Sequence, residues 1–354
     1  MRFVTVNEGT FDPAEAGTWL HCVPDGDPSG TGLPVMLSAE YNRDVYVARA
    51  DPLDTGIFAT GALSWTLLGT ENSGDVSDHW HVVSGGKHYV STSDRATANL
   101  YACAFEPDLS DAGSPPTSGS TPIFSTSSGS STDADYATND HFMYPTRTGV
   151  AIGVWKSSTP CLVVGFVESD LTLYSTAEVG DSALVLANGS SVTRMAGSGS
   201  AALAFLCPSN MSPYSGGSVM RYVEANLSLA VWAEETTREI EFTSDDHLAM
   251  ATMVRFPNGY TAVTYRRLEP GLVSTRGGPD YGDIVRDVYD DTGALQSRDA
   301  LIKYSDTRAA NRPHTALYTS SRGAMFLVTC WDEYDTLNSA GLGCTMLVER
   351  VFLV

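Results

Sequence analysis

Lysine is almost missing from this 354-residue chain: Lys87, Lys156 and Lys303 stand against 18 arginines, and the 21 basic residues face 42 acidic ones. A net charge of −21 repels phosphate backbones and anionic lipid, which argues against nucleic acid as a partner. No apolar run reaches the roughly 20 residues that span a bilayer, so membrane insertion is not expected. The N-terminus lacks the basic, apolar and small-residue sections of a secretory signal, which leaves the compartment open. The six cysteines contain no Cys-x-x-Cys and no paired metal spacing. Cys103, Cys161 and Cys207 read as interior strand residues, while Cys330 and Cys344 flank the final hairpin, where a disulfide is one alternative. The arginine bias and the acidity are compositional signs of a GC-rich genome and a salty habitat, and neither identifies a function.

What the chain does have is a repeat. An alternating apolar strand runs into a short acidic turn at Asp51-Pro52-Leu53, Glu106-Pro107-Asp108-Leu109, Glu168-Ser169-Asp170-Leu171, Glu224-Ala225-Asn226-Leu227 and Asp290-Asp291-Thr292-Gly293-Ala294-Leu295. The closing leucines are spaced 56 to 68 residues apart, about one four-stranded sheet with its turns. Each unit opens on a strand carrying Asp-His or its equivalent. A Gly- or Asn-bearing hairpin turn follows, as in Ser84-Gly85-Gly86-Lys87, then a second strand, the landmark strand and a fourth, such as Leu63–Leu68 or Leu229–Ala233.

Six units are expected, beginning near Trp19, Asp78, Asp140, Ser190, Asp246 and Arg312, with five as the alternative because the unit at Ser190 diverges most. The fold class is therefore all-β, a β-propeller of six four-stranded blades forming one domain over residues 1–354. The last unit stops at its third strand, and the unclaimed strand Arg2-Phe3-Val4-Thr5-Val6 is expected to close that blade and leave no open edge. Ser110–Thr138 reads as a long inter-blade connection, with Pro122-Ile123-Phe124 as a short outer strand; Leu272–Asp283 is a second excursion. No stretch marks an oligomer interface.

Six of the seven histidines fall near the start of the first strand of a unit: His21, His79, His81, His141, His247 and His314, with His88 an ordinary strand residue. Such positions line the mouth of a closed β architecture, where ligand sites favour. The candidate catalytic groups are Asp78, His79, Asp140, His141, Asp246 and His247, as acids and bases. Candidate ligand contacts are His81, Trp80, Arg194, Tyr265, Arg266, Arg312 and His314, and Phe142 and Tyr144 add aromatic faces for pyranose rings. Four imidazoles, His79, His141, His247 and His314, are candidate ligands for one divalent ion on the axis, zinc if histidines dominate and calcium if carboxylates do. Against these stands a structural reading in which Asp-His pairs lock neighbouring blades. Exposure discriminates: functional imidazoles face solvent, whereas structural ones are buried and hydrogen-bonded.

The arrangement Asp140-His141-x-x-x-Pro145, followed by an apolar strand and repeated units, resembles the sialidase-like, BNR-type propellers. That resemblance implies a glycoside hydrolase or polysaccharide lyase, or a non-enzymatic carbohydrate-binding relative, with a glycan or other small molecule as ligand. The sialidase Asp-box, Ser-x-Asp-x-Gly-x-Thr-Trp, is absent. A lyase would use His141 or His79 as base, with Tyr265 or Arg266 against a uronate. Two further alternatives are a lactonase-like, metal-dependent hydrolase using Asn139, Asp140, Asp245 and Asp246, and a binding or scaffold propeller.

Overall fold

Runs of alternating apolar residues separated by Gly, Asn and Asp turns build antiparallel strands along the whole chain. The computed structural model describes residues 1–12, 17–24, 35–70, 74, 76–94, 96–97, 99–115, 117–119, 121–124, 136–146, 149–156, 161–179, 202–209, 219–226, 234–241, 247–268, 282–303, 309–320, 322–335 and 340–353. Within them the protein is all-β, mostly in four-stranded antiparallel sheets. The chain opens on β1 (Arg2–Thr10). The first sheet is β2 (Thr18–Pro24), β3 (Val35–Tyr41), β4 (Asp44–Ala50) and β5 (Thr66–Leu67), and the second is β6 (Val76–Ser84), β7 (Lys87–Asp94), β8 (Leu100–Phe105) and β9 (Thr117–Ser118). The third is β10 (Tyr136–Pro145), β11 (Gly149–Lys156), β12 (Cys161–Glu168) and β13 (Leu173–Val179). A three-stranded sheet follows, β14 (Ala202–Ser209), β15 (Val219–Asn226) and β16 (Glu234–Glu241), and then β17 (His247–Arg255), β18 (Thr261–Leu268), β19 (Asp283–Tyr289) and β20 (Leu295–Ile302). The last sheet takes β21 (Ala309–Thr319), β22 (Met325–Asp335) and β23 (Ala340–Phe352), with β1 paired antiparallel to β23. No helix among the described residues is long and apolar enough to cross a membrane.

The turns follow from their residues. Gly85 and Gly86 join β6 to β7 at φ +58° and +83°, the positive angles that a two-residue hairpin requires and that glycine adopts without strain. The acidic landmark has a local cause as well. Asp108 accepts from the Ser110 hydroxyl and amide, and Asp170 accepts from the Thr172 amide, so both carboxylates hold their own turns. Those hydrogen bonds keep both carboxyls below the ordinary range. Each turn ends on a leucine at positive φ, Leu109 at 62° and Leu171 at 64°.

Packing is sheet on sheet. Along β3, Val35, Leu37 and Ala39 share a core cluster with Val328, Cys330, Met346 and Val348 of the last sheet, whereas Met36 belongs to a cluster with Val76, Val90 and Phe105 of the second. The two-residue period thus sends alternate side chains of one strand to opposite neighbours. A third cluster joins Val254, Phe256, Ala262 and Val288 of the β17–β20 sheet to Leu327 and Val351 of the last.

The structure corrects details of the sequence reading. The fourth strand of the first sheet is the two-residue β5 inside the expected Leu63–Leu68. In the three-stranded sheet the outer strand is β16, whereas the expected Leu229–Ala233 lies outside the described residues, as does the expected opening strand near Ser190. Within the Ser-rich stretch, β9 pairs with β8, and Phe124 adds only an isolated bridge to Leu100. Cys330 and Cys344 are buried free thiols, and Cys344 donates to Asp332 Oδ1 at 3.3 Å.

Candidate functional site

The first strands β2, β6, β10, β17 and β21 share one irregularity near their starts. Their registers slip between Thr18 and His21, Val76 and Asp78, Ala137 and Phe142, Ala249 and Thr252, and Asn311 and His314. A bulge re-aims the side chains beside it, and here it adjoins the residues singled out from sequence.

His21, His79, His81, His88 and His141 are at most 1 % exposed, and His314 is 5 % exposed. His79 Nε2 and His81 Nδ1 each lie 3.1 Å from Ser38 Oγ, and His81 Nε2 lies 2.9 Å from His88 Nδ1. His88 is thus part of this buried network. Burial, reinforced by the neighbouring His88, His79 and His314, pushes the His81 imidazole well below its ordinary value, so it is neutral at pH 7. His21 stacks on His314 with centroids 4.2 Å apart and meets His79 at 4.6 Å. His141 Nε2 lies 2.8 Å from Ser91 Oγ, with Asp78 Oδ2 3.8 Å from His141 Nδ1.

Asp78, His141 and Ser91 therefore stand in the order of a nucleophilic triad. All three are fully buried, however, and the Ser-His element recurs one sheet earlier, between Ser38 of the first sheet and His79 of the second. The serines occupy one recurrent place on the second strand, filled in turn by Ser38, Ser91, Gly153 and Thr264. Gly153 makes room for the Phe142 ring, which a Cβ at that position would meet at 2.0 Å. The strands Val35-Met36-Leu37-Ser38, Tyr89-Val90-Ser91, Ala151-Ile152-Gly153 and Ala262-Val263-Thr264 carry this second repeat in plain sight. A scan for ionisable side chains passes over it.

The expected aromatic faces are interior. Trp80 sits edge-on to His21 and His314, Phe142 is 1 % exposed, and Tyr265 is fully buried with its hydroxyl donating to Asp287 Oδ2 at 3.1 Å. Asp287 also receives two 2.8 Å bonds from Arg298 and one from the Tyr289 hydroxyl. Of the expected arginines, Arg266 and Arg312 come together: Arg266 Nη1 donates to Asn311 Oδ1 at 2.7 Å, and the Arg312 amide donates to the same oxygen at 2.9 Å. Asp246 and Arg194 lie outside the described residues. Asp140 and His247 are described only as strand backbone, as is Tyr144.

Beside that arginine pair is a junction that sequence reasoning missed. Trp19 and Arg312, at the bulges of β2 and β21, both carry positive φ, 55° and 49°, a strained region for residues with a Cβ. The Arg312 guanidinium lies 3.7 Å over the Trp19 ring. Asp332 ties the two together, accepting from the Trp19 amide at 2.8 Å and from Arg312 Nη1 at 3.4 Å. Arg312 keeps 27 % of its side chain exposed while Trp19 is 8 % exposed, so this junction meets solvent where the histidines do not. Trp19 marked the start of a unit in the sequence, but its bulge conformation leaves no pattern in residue types.

The donor set bears on an axial ion. Among the described residues no group of three or more His, Cys, Asp or Glu is arranged to hold a metal. His79 and His141 turn a ring nitrogen to serine, and His314 lies against His21.

These features define an all-β protein of serial antiparallel sheets whose first strands carry a buried His-Ser network below a small Trp-Arg-Asp rim. No family model matches the chain, and no curated protein matches it. Solved structures match in outline. A protein of unknown function from Dyadobacter fermentans DSM 18053 is 8% identical, with 99% of each chain covered and a TM-score of 0.51. Regucalcin, a calcium-binding protein from Agrobacterium tumefaciens str. C58, is 12% identical over 97% of this chain and 95% of its own, with a TM-score of 0.48. The endo-arabinase of Bacteroides thetaiotaomicron VPI-5482 is 9% identical over 98% of each chain, with a TM-score of 0.42. At these identities the likeness is one of fold alone.

Proposed function

We propose that the chain is a single six-bladed propeller, closed by β1, that binds carbohydrate at the end where its first strands begin. Serial contact supports the architecture: β17 packs on β21, β21 on β2, β2 on β6 and β6 on β10. The observation that carries the function is the Trp19-Arg312-Asp332 junction. An aromatic face, a guanidinium fork and a carboxylate meet there at the solvent edge of two adjacent sheets, and carbohydrate recognition uses these groups together. In this reading the buried histidines hold sheets together and the rim, with Arg266 behind it, meets the ligand. A glycan array followed by calorimetry on the best binder tests it, with Trp19→Ala as control. Binding lost in the variant supports the reading, and an array without a single hit overturns it.

The buried Asp78–His141 pair favours a second reading, a glycoside hydrolase or polysaccharide lyase with this pair as acid and base. Turnover of a polysaccharide by the wild type and none by His141→Gln would establish it; equal turnover in both would remove it. A metal-dependent hydrolase would draw its ion ligands from Asn139, Asp140, Asp245 and Asp246, with a histidine as proton carrier. Elemental analysis of the wild type against a His79→Ala, His141→Ala, His247→Ala triple variant decides that version, which fails if neither protein holds a stoichiometric ion.

A further inference from the structure

We infer that Arg312 is a displaceable cover on Trp19, and that the indole face it occupies is the seat for the flat apolar face of a pyranose ring. This rests on the carbohydrate reading and names the contact that would do the work.

The two partners are held very differently. Trp19 is anchored through its backbone, whose amide donates to Asp332 Oδ1 at 2.8 Å, and Asp332 is held in turn by the Cys344 thiol. Arg312 is held loosely. Among the described residues its side chain makes one hydrogen bond, to Asp332 Oδ2 at 3.4 Å, and its Nε is buried with no hydrogen-bond partner. Guanidinium N–H groups without acceptors are costly, and the positive φ of 49° adds backbone strain. Arg312 is thus a group that gains hydrogen bonds by moving, whereas Trp19 stays in place when it does.

The geometry fits an exchange. A planar cation 3.7 Å above the indole occupies the slot that the C–H face of a sugar ring would fill at ordinary van der Waals distance. Of the two, Arg312 is the more exposed. Swung aside, its five-donor fork can reach the ring hydroxyls, so the cover becomes a contact. Arg266 is not available for this, because its Nη1 is committed to Asn311.

The test uses Arg312→Gly, Arg312→Lys and Trp19→Phe in the full chain. Glycine adopts positive φ without strain, so the first variant removes the cover without disturbing the bulge. Oxidation of Trp19 by N-bromosuccinimide, followed by peptide mass spectrometry, should be about tenfold faster in Arg312→Gly than in the wild type, with Arg312→Lys between them. Calorimetry with neutral xylo-, arabino- and gluco-oligosaccharides should show Trp19→Phe binding about tenfold weaker than the wild type or worse, and a clearly smaller loss in Arg312→Gly, which gives up the hydrogen bonds of the fork but keeps the stacking face. Unchanged oxidation in Arg312→Gly overturns the cover. A loss of affinity in Arg312→Gly equal to that in Trp19→Phe overturns displacement, because Arg312 would then be a fixed contact. If no oligosaccharide binds either protein, the carbohydrate reading falls, and the oxidation rates still decide whether Arg312 shields the indole.

Discussion

Ser91 Oγ lies 2.8 Å from His141 Nε2, and this bond runs from the second strand of one sheet to the first strand of the next. Ser38 and His79 repeat it one sheet earlier at 3.1 Å. A contact that recurs in this way, buried on both sides, behaves as a register lock between sheets. Ser38→Ala and Ser91→Ala should each cost about 1–3 kcal/mol, because the imidazole nitrogen left behind cannot reach water. Urea melts at constant m-value measure this. Variants within about 0.5 kcal/mol of the wild type would show that the bonds lock nothing.

Acid should loosen the same network. The His81 imidazole is held well below 6.5 in the folded protein by burial first and by His88, His79 and His314 next. A depressed folded value means that the unfolded chain binds the proton more readily. The stability this gives is complete above about 6.5 and is lost progressively as pH falls below it. Near pH 6 and lower the slope from this residue approaches about 1.4 kcal/mol per pH unit. His81→Leu should flatten the curve of stability against pH between about 7 and 5 by up to one proton. An unchanged slope would mean that His81 titrates alike in both states.

The N-terminal strand is pinned from the side. Arg286 of β19 pairs with Glu349 of β23 while its guanidinium lies 3.9 Å over the Phe3 ring of β1. Arg286 and Glu349 are 2 % and 7 % exposed, and Arg286 Nη2 also donates to the exposed Asp299 at 3.2 Å, so removing Glu349 leaves the buried guanidinium with its weaker partner alone. Glu349→Ala should therefore cost about 1.5–3 kcal/mol. Deleting residues 1–10 should do more, since it uncovers the edge of β23 for pairing with another chain. Size-exclusion chromatography with light scattering would show association of the truncated protein. A truncated chain that stays monomeric with the wild-type melting temperature would argue against closure by β1.

Much of this architecture was legible because the repeat is made by local chemistry. The acidic landmark is a turn whose Asp108 and Asp170 bond their own backbone, so it survives in residue types, and the alternation of the strand before it survives with it. Outer strands were less legible. β5 and β9 are two residues long and bury little, which leaves no periodic signal at those edges. The histidines were placed on their strands correctly, but residue type alone does not say whether an imidazole faces water or a serine on the next sheet. Their partners, Ser38 and Ser91, read as unremarkable strand polars. Trp19 and Arg312 were visible as unit starts, yet their stacking depends on two bulges and on Asp332 from a third strand, a conjunction that only the folded chain displays.

Salt should separate the surface charge from these buried contacts. With a net charge of −21, the folded chain carries self-repulsion that is screened over about 10 Å at 0.1 M salt and about 3 Å at 1 M. Raising sodium chloride from 0.1 to 1 M should lift the melting temperature by several degrees. The penalty of Glu349→Ala should change little over that range, because a pair this buried is poorly screened. Affinity for a neutral oligosaccharide should also hold, since stacking on Trp19 moves no net charge onto the protein. A melting temperature that falls with salt would show that surface ion pairs, such as Lys87 with Glu106, outweigh the repulsion. Binding of the neutral sugar that collapses in 1 M salt would mean that Arg312, and not the indole beneath it, supplies the affinity.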